Sequence, residues 1–150
     1  MQSLECLIAN TVFNPQVRKY LEDEATGYRL FTRAQKDVCW DMSSKIPGRD
    51  PAKWRFDAVG NPVIYGLRGC RGALCHEYDH VWPHSKGGRT RVLENCQVLQ
   101  TQANRRKSNR TDMDIAALVR ASRRLKLSQR DMDFLEEAII GPSDSLILPQ

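Results

Sequence analysis

Apolar positions along the 150-residue chain recur with changing spacing, and that spacing predicts its elements. Asn14-Pro15 followed by Val17, Tyr20 and Leu21 and closed by Gly27 predicts a short helix, since Asn caps, Pro suits a first turn and Gly suits the exit. Phe31, Ala34, Val38 and Met42 fall on one helical stripe and predict a second helix from about Leu30 to Ser44, stopped at Ile46-Pro47-Gly48. Residues 45–62 are rich in Pro and Gly and read as irregular chain around a short strand at Trp54–Phe56. Val63-Ile64-Tyr65 and Leu74 to Val81 read as strands, and the glycine-rich reversal from Gly66 to Gly72 suits a hairpin between them. Pro83 ends the second of these, and Ser85 to Arg89 reads as a loop. Cys96-Gln97-Val98-Leu99 is a further strand able to pair with the earlier one. It runs into the helix formers Thr101 to Lys107. A helix from Thr111 to about Leu127 and another from Ser128 to Gly141-Pro142 follow, with a mobile tail to Gln150. This order of elements predicts the α+β class.

Composition adds limits rather than detail. The length suits one domain, and no apolar run approaches the roughly 18 residues of a membrane span, so no membrane insertion is expected. The first residues carry neither a secretory signal nor an Arg-rich transit pattern. Five cysteines at irregular spacing do not suggest a disulfide framework, so the thiols are expected to act as small hydrophobes in an intracellular, reducing compartment. Nucleus, cytoplasm and organelle stay open.

Charge is more informative when it is followed along the chain. Of 23 Lys/Arg and 18 Asp/Glu, residues 80–130 hold twelve basic and three acidic side chains, whereas residues 131–150 hold no basic and five acidic ones. The basic stretch suits a surface facing a polyanion. A solvated helical face is the alternative, and it applies especially to Arg120, Arg123, Arg124 and Lys126. Trp40, Trp54 and Trp82 are expected to pack.

The basic stretch opens on the residues with the most chemistry. Glu77-Tyr78-Asp79-His80-Val81-Trp82-Pro83-His84-Ser85-Lys86-Gly87-Gly88, then Asn95, then Asn104-Arg105-Arg106-Lys107, place a carboxylate and an imidazole at a strand end before a glycine loop. A hard cation such as Mg²⁺ takes oxygen ligands and keeps several waters, so the Asp79 carboxylate and the Asn104 carbonyl suffice if a substrate phosphate completes the shell. A neutral imidazole can accept a proton from water near neutral pH, which makes His80 the candidate general base. Glu77 shares the strand face of Asp79 and supports the metal through water or is simply solvated; His76 reads as a structural histidine.

In order and spacing this set resembles the HNH endonucleases. The resemblance implies a small ββα-metal (HNH, His-Me finger) core over residues 46–110, with an N-terminal helical extension at 1–45 and a C-terminal helical extension with a short tail at 111–150. It implies that His80 activates water, that Asn95 braces the loop for catalysis, and that Asp79 and Asn104 hold a divalent ion, Mg²⁺ first and Mn²⁺ as substitute. His84, Lys86, Arg105, Arg106 and Lys107 would contact nucleic acid, DNA before RNA. Many relatives also carry two Cys-x-x-Cys pairs for a structural zinc; here the first is at best Cys70 to Cys75 and the second would fall at Gln100 and Ala103, so structural Zn²⁺ is not expected. The alternative function is a catalytically idle fold serving as a nucleic-acid-binding or structural subunit, with protein partners on the terminal helices.

Overall fold

The computed structural model describes residues 30–89 and 93–141. The helix expected at Asn14 to Gly27 and the tail from 142 lie outside them. The described chain is α+β, with four helices and two antiparallel two-stranded sheets. None of these helices is long and apolar enough to cross a membrane.

Helix α1 (Arg33–Met42) begins where Thr32 and Gln35 exchange side-chain and backbone hydrogen bonds, a reciprocal cap that satisfies two otherwise orphaned donors. It buries Gln35, Cys39 and Trp40 rather than the expected stripe of Ala34, Val38 and Met42. The face is set by the sheet beneath it, where Cys39 and Trp40 pack on Val63 and Val98.

Strand β1 (Trp54–Phe56) pairs with β2 (Pro62–Ile64), and the turn between them is organised by the buried Asp57 carboxylate. That carboxylate accepts from the amides of Val59 and Asn61 and from the Asn61 side chain, and it reaches across to the Gln100 amide at 2.8 Å. Strand β3 (His76–His80) pairs with β4 (Cys96–Gln100) from His76↔Gln100 to His80↔Cys96. Helix α2 (Thr101–Lys107) follows β4 directly and runs back along β3.

The hairpin expected between Val63-Ile64-Tyr65 and Leu74 to Val81 does not form. Segment 67–69 instead lies parallel to His76, with His76 N donating to Leu67 O and Gly69 N donating to His76 O. A single backbone hydrogen bond among the described residues, Ile64 N to Leu74 O at 3.1 Å, links the β2 end to the chain ahead of β3. Residues 70–75 close on themselves through a Cys70–Cys75 disulfide. This corrects the expectation that these two thiols are small hydrophobes, and it gives no support to a reducing compartment. Cys39 and Cys96 remain free.

Helix α3 (Ile115–Ala121), capped by Asp114, is shorter than the predicted helix to Leu127. The Gln100 side chain captures the following backbone, accepting from Arg123 N at 2.7 Å and donating to Arg123 O at 2.9 Å. Arg123, Arg124 and Lys126 therefore do not continue a helical stripe with Arg120. Arg124 donates instead to Val59 O and the Asn61 side chain. Helix α4 (Gln129–Ile139) opens with a Ser128–Asp131 reciprocal cap. It packs Met132 against Ile46, Trp54, Ile64 and Leu74, while Glu136 binds Lys53 and the Trp54 indole.

The β3–β4 hairpin is thus covered on both faces. α1 covers the side of Val98 and Tyr78, and α2 with α3 covers the side of Leu99 through Ala103 and Leu118. Trp40 and Trp54 are buried as expected, but Trp82 is 51% exposed. Its indole donates to Lys86 O and closes the loop rather than entering a core.

Candidate active site

Strand β3 pairs along its length with β4, and among the described residues its second edge is met by backbone only at His76, where segment 67–69 lies alongside, so the edge from Glu77 to His80 is open. A cleft of about 900 Å³ borders all five of its residues, together with Phe31, Asn104 and Arg105 among others. Alternating strand side chains point to opposite faces, yet at an open edge both sets can line one cleft. Asp79 and His80 both line the cleft in this way.

The loop after β3 is shaped by Asn95. Its Oδ1 accepts from Trp82 N at 2.6 Å, and its Nδ2 donates to Trp82 O at 3.0 Å and Arg89 O at 3.4 Å. The Asn95 carbonyl also accepts from Val81 N. The two glycines follow from this arrangement. Gly87 takes φ 89°, and a Cβ on Gly88 would overlap the Trp82 carbonyl and come within 2.9 Å of Asn95 Nδ2. Pro83, His84 and Ser85 of this loop line the cleft. Asn95→Ala removes side-chain bonds that fold the loop back on itself. Amide hydrogen exchange at Trp82 is expected to accelerate about tenfold while Val98 and Leu99 stay protected; NMR exchange rates check this.

His80 sits between two rings. Phe31 stacks on it with centroids 4.3 Å apart and planes at 24°, and His84 meets it edge-on at 5.8 Å. Beside it, Asp79 Oδ2 accepts from Gln97 Nε2 at 2.9 Å and pairs with Lys107 Nζ at 2.9 Å, so both contacts fall on the same carboxylate oxygen. Asn104 Nδ2 donates to Glu77 Oε2 at 2.7 Å, which leaves its amide oxygen as the remaining donor atom for a cation. Arg105 pairs with the other Glu77 oxygen at 3.1 Å.

The expected nucleic-acid contacts divide. His84 and Arg105 line the cleft; Lys86 is exposed on the loop and Arg106 is exposed outside the cleft. Lys107 turns inward. Only 4% exposed, it binds Asp79 and donates to His80 O at 2.8 Å, so it braces the site instead of presenting its charge to a phosphate. Its place three residues after Asn104 puts it on the same helix face, but the sequence could not show that β3 already supplies its partners.

The remaining histidine of β3 is structural. His76 is fully buried beside Trp40 and Tyr78, and neither ring nitrogen has a well-formed hydrogen bond. Burial lowers its pKa to about 4; nearby Arg68 acts in the same direction, and a weak backbone contact at Ile64 opposes them. Between about pH 6.5 and 4 the unfolded chain therefore binds a proton that the folded one excludes. Stability attributable to His76 is whole above pH 6.5 and falls by about 3 kcal/mol as pH drops to about 4. Urea unfolding across this range should show that loss, and His76→Phe, which fits the aromatic surroundings without an ionisable ring, should remove it.

Several contributors had no local signal in the sequence. Phe31 and Lys36 reach the cleft from the α1 region and Arg68 from the loop before the disulfide. Gln97 was recoverable in principle, as the cross-strand partner of Asp79 once the register is known. Among the described residues no three His, Cys, Asp or Glu side chains converge as a metal-binding group. One carboxylate with one amide oxygen nevertheless fits a hard ion that keeps most of its shell as water and phosphate. The chain matches no protein-family model, no curated protein and no solved structure in the comparisons made.

Proposed function

We propose that the protein is a metal-dependent endonuclease of the HNH type, hydrolysing phosphodiester bonds of nucleic acid. The observation that carries the reading is the placement of His80, the Asp79 carboxylate and Asn104 on one cleft, beside a loop tied back by Asn95. A β-hairpin followed by a helix supplies all four residues, in keeping with a ββα-metal core.

In this reading His80 accepts a proton from water as its oxygen attacks phosphorus. The bond to the 3′ oxygen breaks, leaving a 5′-phosphate and a 3′-hydroxyl that takes its proton from solvent. Phe31 fixes the plane of the imidazole, so the base is oriented before substrate arrives. Lys107 and Gln97 hold Asp79 by one oxygen and direct the other toward a cation, while Glu77 orients Asn104 in the same way. Asp79 and Asn104 would hold a divalent ion, Mg²⁺ or Mn²⁺, which supplies neutralisation of charge at the phosphate and at the leaving oxygen.

Purified protein with Mg²⁺ or Mn²⁺ should cut plasmid or single-stranded DNA and should stop when EDTA is added. Intact substrate under all these conditions would overturn the enzymatic reading. The idle-scaffold reading draws on one specific observation, that Lys107 already neutralises Asp79. It predicts no heat of divalent-ion binding by calorimetry.

A further inference from the structure

Three Lys or Arg side chains line the cleft: Lys36, Arg68 and Arg105. Arg105 is committed to Glu77, and the other cleft carboxylate, Asp79, is neutralised by Lys107. Lys36 and Arg68 have no ion pair among the described residues. Among the described residues their charges are therefore met by no carboxylate at ion-pair distance and stand on the cleft wall as a potential that favours an anion.

Both are steadied by aromatic faces instead of carboxylates. Lys36 Nζ lies 6.0 Å from the centre of the Tyr78 ring, and Arg68 Cζ lies 5.7 Å from that of Tyr65. The Tyr65 ring is itself fixed, through its hydroxyl on Asp37 and an edge contact with Trp40. A cation held over a ring keeps its N–H donors available, and the planar fork of Arg matches phosphate oxygens. Their positions follow β3. Arg68 bridges to His76 at the start of the strand, Lys36 lies over Tyr78 in the middle, and His80 stands at its end. Alternate strand residues are about 6.6 Å apart, of the order of one nucleotide step.

We infer that Lys36 and Arg68 form a phosphate-binding wall that holds the cut strand in extended form on one side of the scissile bond. The inference rests on the proposed nuclease reading for the identity of the polyanion. Lys36 and Arg68 supply affinity, His80 supplies chemistry, and the two are separable.

The test uses full-length protein carrying His80→Ala, with binding of a fluorescein-labelled single-stranded DNA oligonucleotide followed by anisotropy over a salt series. Lys36→Gln and Arg68→Gln should each weaken binding about threefold to tenfold and lower the slope of log K against log salt by about 0.7. Lys126→Gln, at an exposed cation outside the cleft, should change neither. Wild-type affinity and slope in both cleft variants, or no binding by the parent protein, overturns the inference. Cleavage by the wild type alongside unaltered binding in the cleft variants would remove the phosphate wall and leave the nuclease reading standing. Binding that depends on Lys36 and Arg68 without cleavage by the wild type would do the reverse.

Discussion

His80→Ala is expected to lower the rate of phosphodiester cleavage by about 10²–10⁴-fold, the usual contribution of a positioned general base. The expected loss falls on kcat rather than KM, because His80 stands at the end of β3 and the cleft cations Lys36 and Arg68, proposed to hold phosphate, are untouched. Circular dichroism should show a folded protein, since the truncation leaves the β3–β4 pairing and the cores around Val98 and Leu99 intact. The space left beside Phe31 is open to the cleft, so imidazole added to the medium should restore part of the activity. A variant that cuts as fast as wild type would show that His80 is not the base. In that case His84, on the loop that follows β3 with its ring centre 5.8 Å from that of His80, becomes the next side chain to replace.

What the sequence made legible depends on how local the interactions are. The loop could be read because its parts lie within about fifteen residues and each has a steric or hydrogen-bonding reason: Pro83 stops the strand, Gly87 adopts positive φ, Gly88 leaves room for Trp82 and Asn95 closes the turn. The cap at Ser128 was legible on the same grounds, whereas the preceding helix, expected from Thr111, starts after Asp114. Interactions decided by distant chain were not. The helix after Asp114 ends at Ala121 because Gln100, more than twenty residues earlier, holds the Arg123 backbone. The glycine-rich reversal makes no hairpin because segment 67–69 runs beside His76 and the next residues are tied by Cys70–Cys75. Phe31 meets His80 only because α1 lies over the hairpin. The motif thus named residues that line one cleft, while the packing of α1 and α2 determined which charges face it.

Lys107→Met is expected to destabilise the fold by about 3–5 kcal/mol, the cost of leaving a buried charge without its partner. The side chains of Lys107 and Asp79 are only 5% and 11% exposed, so water cannot readily take over from the ammonium group. The change also removes a donor from His80 O, which is left to find another partner. A solvent-facing lysine poised for phosphate would behave differently, with its loss changing stability by no more than about 0.5 kcal/mol and appearing in nucleic-acid affinity instead. Asp79→Asn in the Lys107→Met background should recover part of the lost stability, because a neutral amide no longer strands a charge next to the methionine. A double-mutant cycle by urea unfolding would therefore give a coupling well above the roughly 0.5 kcal/mol of independent sites. Additive effects would mean that Lys107 and Asp79 do not act as a buried pair. The same cycle bears on the candidate site, since Asp79→Asn should cost cleavage even where it returns stability; Lys107 would then hold in place a carboxylate whose second oxygen serves the chemistry.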